Sequence, residues 1–515
     1  MKTSIKEESG NPVLNIVFDT LSKSKQALVF FNTKKSAEKA AEDIAKKIKN
    51  EDSALKELSN EVLRALSKPT RQCERAALCI AKGIAFHHAG LTSKQKNLIE
   101  ENFRRGIIKI ICCTPTLAFG LDLPAYRAII KDLRRYSQRG LTWIPVLEYM
   151  QMCGRAGRPN YDSKGEAIAI AGTNAERDRI IEKYINGEPE EIYSKLAVEP
   201  VLRTYVLSLI ASNFANTKKQ LFDFFKKTFY AHQFKDLRRL YSTVNRIIGM
   251  LAEWEFIIRS GEDDFAAADE IDDENYRATL LGKRVAELYI DPFTASYIIS
   301  CIKESSGKST NDFSFLQMLS HTSELMPLLK VGVKEHDSVQ EELMKKYSHL
   351  LEREPSMYEP EYEDFLNSIK TALMFEEWIS EKDEDFLLEK FNITPGETRS
   401  KIDIMDWMLY GTSELCKILH FQYVIKEIIK LRLRLRYGVK EELLPLVRLE
   451  GIGRVRARML FRNKIKDLND VKNAELSVLK QLLGEKIAVS VKNQVGQGDV
   501  FKEKELEKIS LKDWE

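Results

Sequence analysis

The sequence has little of what marks several large protein classes. Its seven cysteines, Cys73, Cys79, Cys112, Cys113, Cys153, Cys301 and Cys416, are odd in number, scattered and free of any C-x-x-C pair. That argues against a disulfide framework or a zinc module and for reduced thiols. Seven histidines include no H-E-x-x-H, and the adjacent His87 and His88 have no carboxylate or cysteine at ligand spacing, so no metal site is expected. No stretch reaches the roughly eighteen apolar residues of a membrane span, and the opening MKTSIKEESGNP lacks a signal-peptide core. A cytoplasmic chain with no membrane association is expected. Net charge is only +3, from 80 basic and 77 acidic residues, so any polyanion must be read from local charge. Absent too are G-x-x-x-x-G-K-[ST] and any D-E-x-H-like tetrad, hence a lysine for β and γ phosphates and a carboxylate pair for magnesium. Ser306-Gly307-Lys308-Ser309-Thr310 ends like such a loop, but the earlier glycine would fall at Ile302 and a helix precedes it. It reads as a polar loop.

What is present is globular. The 515 residues, 43% hydrophobic and 30% charged, suffice for about three to four domains. ALVFF (27–31), IIKIICCT (107–114), RAIIKD (127–132) and EAIAIA (166–171) alternate with stretches of helical period, which predicts one parallel α/β domain over residues 1–190. Residues 191–290 read as three amphipathic helices, then two strands, FIIRS and YRATLLGKRVAELY, flanking the acidic segment Glu262 to Glu274: a winged helix. A helical bundle is expected over 291–435, broken near EREPSMYEPEYED. Residues 436–515 hold short helices around Gly451-Ile452-Gly453, and a polar tail expected to be mobile.

Four patterns carry chemistry. In Gln151-Met-Cys-Gly-Arg-Ala-Gly-Arg158, Arg155 and Arg158 are three apart and expected on one side of a helical turn, where two guanidinium forks can converge on a phosphate. Thr114-Pro-Thr-Leu-Ala-Phe-Gly-Leu-Asp-Leu-Pro-Ala125 follows a strand, where open α/β sheets place ligand loops. Thr114 and Thr116 can donate to a nucleic-acid backbone, and Asp122 can hold a ribose or an arginine; equally, the hydroxyls can cap a helix. Residues 133–146 predict a hairpin turning at Arg139-Gly140, with Tyr136 and Trp143 as bases' stacking partners or as core aromatics. Leu446-x-x-Leu449-x-Gly451-Ile-Gly453-x-x-x-Ala457-x-x-Leu460 reads as a helix-hairpin-helix whose turn amides face a phosphate, with Arg454 and Arg456 beside them. From Arg432 to Lys466, eight arginines and three lysines face three glutamates, the footprint of nucleic-acid binding or of a solvated face.

FFNTKKSAEKAA (30–41), FHHAGL (86–91), TPTLAFGLDLPA (114–125) and QMCGRAGRP (151–159) closely resemble motifs IV, IVa, V and VI of superfamily 2 helicases, in that order. Within that superfamily the chain resembles the Ski-like branch, and most of all the archaeal Hjm-type DNA repair helicases related to metazoan HELQ. The resemblance implies a second RecA-like domain over 1–190 and a ratchet domain over 291–435. It implies Arg158 as an arginine finger, Arg155 as a second γ-phosphate contact, and Gln151, Gly120 and Asp122 as supporting nucleotide contacts. Asn32, Thr33, Thr114 and Thr116 would touch the translocated strand's phosphates. Arg399 and Trp407, on the helix starting at Pro395, would meet single-stranded DNA, although an amphipathic core tryptophan reads equally well at 407. The expected activity is ATP-dependent, 3′ to 5′ unwinding of forked DNA, with ATP and Mg²⁺ shared with a first RecA-like domain. That domain would precede residue 1, as a separate chain if the gene is split or lost if the sequence is truncated; alone, the chain is expected to be inactive. The rivals are a non-enzymatic DNA-binding subunit and an RNA helicase, the latter expected to carry a large inserted arch.

Overall fold

The computed structural model describes residues 5–7, 9–49, 52–66, 68–119, 123–137, 140–157, 164–234, 237–260 and 275–496. Residues 1–192 together with 384–400 form one compact unit, and 193–383 with 401–515 form the other.

The first unit is built on a parallel sheet. Its strands are β1 (Ala27–Phe30), β2 (Ile84–His87), β3 (Ile110–Cys113), β4 (Arg127–Ile130) and, after the hairpin β5 (Arg134–Ser137) and β6 (Gly140–Trp143), β7 (Glu166–Ala169). The order is β2-β3-β1-β4-β7, with Phe30 paired to both Cys113 and Ile130, and His87 to Cys113. Every residue of β1, β2, β3 and β4 is buried, as expected of parallel strands covered on both faces.

Helices α1 (Pro12–Ser22), α2 (Lys34–Ala45), α3 (Ser53–Leu63), α4 (Arg71–Ile80), α5 (Ser93–Arg104), α6 (Val146–Cys153) and α7 (Asn174–Ile180) complete the unit. Their starts are fixed by side chains that take up free amides: Asn11 for α1, Thr33 for α2, Thr70 for α4 and a Thr92/Gln95 capping box for α5. Among the described residues Arg127 is the largest fully buried side chain, and its guanidinium ties α1 to the sheet edge. It donates to Asp19 at 2.6 Å, Thr20 at 2.9 Å and Glu166 at 2.7 Å.

The second unit opens with α8 (Glu199–Ala211), α9 (Lys218–Lys226), α10 (Phe229–Gln233) and α11 (Arg238–Glu253). The antiparallel pair β8 (Ile257–Ser260) and β9 (Asn275–Ala278) follows, then α12 (Leu280–Glu287). The stretch YRATLLGKRVAELY is therefore a strand only as far as Ala278 and a helix beyond it. Thr279 makes the break: its hydroxyl accepts from the Gly282 amide and donates to the Glu255 carbonyl, capping α12 against the chain that leads into β8.

Beyond lie α13 (Pro292–Glu304), α14 (Asp312–Ser320), α15 (His336–Lys346), α16 (Tyr362–Ile379), α17 (Glu384–Phe391), α18 (Pro395–Ile418) and α19 (Gln422–Tyr437). Phe313, Phe315, Phe365, Phe375, Ile428 and Leu431 are buried in this region. The segment 384–400, which lies within the 291–435 stretch read as a bundle, packs with the first unit instead. Residues Ser306–Thr310 form a turn and loop after α13. Helices α20 (Leu444–Val447), α21 (Arg454–Arg462), α22 (Leu468–Asn473), α23 (Leu476–Leu483) and α24 (Glu485–Gly496) share their own apolar cluster, centred on Leu446, Ala457, Leu460, Leu479 and Val491. The acidic segment 262–274 and the C-terminal tail lie outside the described residues.

Candidate functional site

Because β2, β3 and β1 are neighbours, the loops that leave their carboxyl ends lie side by side. Asn32 and Thr33 follow β1, His88 to Leu91 follow β2, and Thr114 and Thr116 follow β3. Thr33 is exposed and caps α2. Thr114 is buried and Thr116 exposed, their hydroxyls 2.8 Å apart. The Asn32 amide donates to Asp132 at 3.3 Å, while its side-chain Nδ2 is buried without a hydrogen-bond partner among the described residues. Hydroxyls, a side-chain amide and a helix amino terminus on one edge suit a phosphate backbone, which is held by such donors without being read by sequence.

The His88 loop, whose contribution the sequence did not reveal, is held from beneath. The Gly90 amide donates to His88 Nδ1 at 3.1 Å, so His88 Nε2 carries the hydrogen that meets Glu38 at 3.0 Å. Glu38, on α2, also accepts from Gln72 at 2.7 Å and Arg75 at 2.6 Å. Burial alone would raise the Glu38 carboxyl, but the hydrogen bonds from His88 and Gln72 and the Arg75 charge outweigh it and hold it at about 2. His87 turns to the other side and meets Glu100 at 2.9 Å. No spacing rule finds these pairs; they join α2 to α4 and to the loop after β2, and β2 to α5.

The second group lies at the opposite, amino-terminal side of β4. Ala125, two residues before the strand, bridges Ala156 in parallel, through Ala125 N to Arg155 O at 2.9 Å and Gly157 N to Ala125 O at 2.7 Å. Helix α6 ends at Cys153; the Arg155 and Ala156 amides still bond three residues back, to Met152 and Cys153, before Ala156 bridges Ala125 and Gly157 takes φ +98°. The expectation that Arg155 and Arg158 share one side of a helical turn falls on Arg158, which lies outside the described residues. Gly157 and Gly165 make the bridge possible, since a Cβ on Gly165 would lie 2.2 Å from Gly157 N.

The Arg155 guanidinium donates through Nε and Nη2 to the Ala118 carbonyl, at 3.2 and 2.5 Å, tying this loop to the turn that carries Thr116. Gln151 is exposed in the last turn of α6. That helix is fixed at its other end by Glu190, which accepts from the Val146 and Leu147 amides at 2.7 and 3.1 Å. Gly120, Asp122 and Arg158 lie outside the described residues.

The hairpin forms with Arg134 opposite Trp143 and Tyr136 opposite Leu141. Trp143 sits at its base, half-buried, with the Arg134 guanidinium over its ring at 4.2 Å and Tyr184 tilted against it at 6.1 Å. Leu141, beside the turn, is 52% exposed. The Tyr136 backbone is in β5, and its side chain is outside the described residues, as is Arg139.

On α18, Arg399 is exposed and Trp407 half-buried, its indole N–H donating to the Leu288 carbonyl at 3.1 Å. In the last module Gly451 is exposed at φ +84° and Gly453 precedes α21, giving the tight turn between α20 and α21. Arg456 is exposed and bonded to the Gly451 carbonyl at 2.8 Å, whereas Arg454 lies over the Trp378 ring at 4.5 Å and donates to the Lys382 carbonyl. Arg448, Arg462, Lys464 and Lys466 are exposed around the same turn, a set the motif alone does not single out.

Comparison with known proteins follows this layout. Residues 62–160 match the helicase conserved C-terminal domain, 165–258 a helix-turn-helix domain, and 313–438 domain 4 of archaeal helicases, which together define a multidomain helicase class. The ATP-dependent DNA helicase Hel308 of Pyrococcus horikoshii is 38% identical over 500 residues, covering 96% of this chain and 67% of that protein. Its counterparts in Pyrococcus abyssi and Methanococcus vannielii are 39% and 36% identical, covering 94% and 96% of the chain and 66% and 68% of those proteins. The chain belongs to the Hel308 family of helicases and spans about two thirds of the length of these relatives. Among the described residues no helix is long and apolar enough to cross a membrane.

Proposed function

We propose that this chain forms the strand-handling part of an ATP-dependent DNA helicase moving 3′ to 5′ on forked substrates. Residues 1–190 act as its second RecA-like domain, 191–290 as a winged helix, 291–435 as a ratchet and 436–515 as a helix-hairpin-helix module. The observation that carries this reading is the division of the candidate residues between two sides of one sheet. Asn32, Thr33, Thr114 and Thr116 stand at the carboxyl ends of β1 and β3, while Gln151 and Arg155 lead into the Ala125–Ala156 bridge before β4. A polymer backbone and a nucleotide can then be held at once, and the Arg155 to Ala118 bond links the two.

Bound with magnesium on a first RecA-like domain, in cis or in trans, ATP would supply the free energy of phosphoryl transfer. The described residues nearest that task are donors, which suits phosphate oxygens; Arg155 orients its loop and Arg158 neutralises charge that grows in the transition state. Tyr136 and Leu141 on the hairpin part the duplex, Trp407 and Arg399 line the path of the released strand, and Gly451, Gly453, Arg454 and Arg456 bind its phosphates.

The test is reconstitution with a first RecA-like domain that carries both nucleotide motifs. DNA-stimulated ATP hydrolysis and unwinding of a 3′-tailed fork are expected from the combination. A combination that binds forked DNA but gains no ATPase would favour a binding subunit, and preference for RNA over DNA would redirect the substrate.

A further inference from the structure

The break between α15 and α16, EREPSMYEPEYED (352–364), shares a groove with the short turn Val333–Glu335 that leads into α15. The groove has a volume of about 600 Å³, and its apolar lining is Val331, Val333, Met357, Pro360, Tyr362 and Leu366, all within the second unit. Its walls are fixed by polar bonds. On one side the Leu329 amide donates to the Thr371 hydroxyl at 3.1 Å and the Val331 amide to Asn367 Oδ1 at 2.8 Å. The buried Lys370 donates to the Lys330 carbonyl at 2.9 Å and to the Glu335 carboxylate at 2.8 Å, so that this wall is laced to α16. On the other side Glu359 folds back on Ser356, accepting from its amide at 3.1 Å while its own amide donates to the Ser356 carbonyl at 2.9 Å. Tyr362 and Leu366 are buried, yet Val333 is 97% exposed and Met357 65%, with Tyr358 beside it at 94%. Apolar groups held in water by a bonded frame are preorganised for something that covers them.

The rim is acidic. Asp337, Glu359 and Glu363 line the groove against a single basic residue, His336, among the described residues. From 359 to 364, Glu359, Glu361, Glu363 and Asp364 are exposed and no lysine or arginine occurs. Glu363 and Asp364 suit the amino terminus of α16, but a helix start does not require Val333 and Met357 in water. Such a rim repels a nucleic-acid backbone, and no residue assigned above to the strand or the nucleotide lines it.

We propose that this groove is a docking site for a partner protein, which inserts large apolar side chains carried on a short segment between lysines or arginines. Charge complementarity selects that occupant. Residues 497–515 of the chain itself carry six acidic residues against four lysines, and a second copy presenting the same groove would set acid against acid. The inference goes beyond the helicase reading and stands without it.

A library of random short peptides displayed on phage, selected on the whole chain, tests it. Enriched sequences should place leucine, phenylalanine or tryptophan beside lysine or arginine. A synthetic peptide of that sequence should bind Val333→Ser with Met357→Ser about tenfold more weakly than the parent, as the loss of central apolar contacts implies. Glu359→Lys with Glu363→Lys should weaken it similarly and remove the dependence of its affinity on salt. These four side chains are exposed, so thermal melting should match the parent; should the apolar pair melt early, the charge pair, which leaves the walls intact, decides. No enrichment, enrichment of acidic sequences, or a selected peptide that binds all forms equally would overturn the proposal. So would a peptide of residues 497–515, or a DNA oligonucleotide, that binds the parent and fails on Val333→Ser with Met357→Ser, since the groove would then belong to the tail or to a strand. Self-association abolished by the same pair would give it to a second copy and overturn the proposal equally.

Discussion

Glu38 shows how much rests on single side chains here. It is buried and receives His88, Gln72 and Arg75 at once. Replacing it by alanine strands three donors, and an uncompensated buried pair of this kind costs on the order of 3 kcal/mol. Urea unfolding near neutral pH should show that loss. Because its carboxyl is held at about 2 against an ordinary 4.5, the Glu38 contribution is complete above pH 4.5 and disappears as the pH falls toward 2. The gap between parent and Glu38→Ala should therefore shrink over that window; a constant gap would contradict the ion-pair account. The thiols make a second residue-level case. Burial pushes Cys79, Cys301 and Cys416 up to about 12, and raises Cys112, Cys113 and Cys153 as well. A thiol-reactive dye should label the buried Cys79, Cys112, Cys113, Cys301 and Cys416 only after unfolding, and rapid labelling of them in the native chain would show a more open packing. The scatter of the cysteines was legible in the sequence; how deeply each is buried was not. The partners of Arg155 and His88 were not, because a carbonyl or a carboxylate reached across a sheet leaves no period in the chain.

Among the elements, the strands of the first unit could be read because apolar runs are local signals. The extent of β9 could not, since YRATLLGKRVAELY keeps an apolar pattern while Thr279 turns it into a helix. The hairpin was visible in the sequence, but the jobs of its two aromatics were not, since exposure depends on distance from the turn. Trp143, between Arg134 and Tyr184, serves the packing of the hairpin base. Trp143→Ala should cost on the order of 2 kcal/mol in chemical denaturation, less than a fully buried aromatic would. Leu141→Ala, at an exposed position, should cost under about 0.5 kcal/mol yet slow fork opening in the completed enzyme with hydrolysis retained. If Leu141→Ala unwinds normally while Trp143→Ala abolishes unwinding at unchanged stability, the assignment of the two positions is reversed.

At the level of the whole chain, nothing in the sequence tells that 384–400 joins the first unit, because that association depends on backbone closeness at Gly90 and Gly396 and on side-chain contacts such as Lys34–Glu397 and Arg71–Glu389. Charge distribution was easier to read: near neutrality overall conceals the basic stretch 432–466. Among its exposed members, Arg448, Arg462, Lys464 and Lys466 should contribute to the salt dependence of DNA binding. Changing Arg462 and Lys464 together to alanine should reduce the slope of log affinity against log salt by nearly two on duplex DNA, or about 1.4 on a single strand. An unchanged slope would place the contact elsewhere. The central claim is that this chain contributes arginine chemistry to ATP hydrolysis driven by DNA, and it is tested most directly by single-turnover hydrolysis in the completed enzyme with Arg158→Ala. The account predicts a rate lower by about 10³ or more, with affinity for forked DNA unchanged. Hydrolysis at the parental rate in that variant would contradict it.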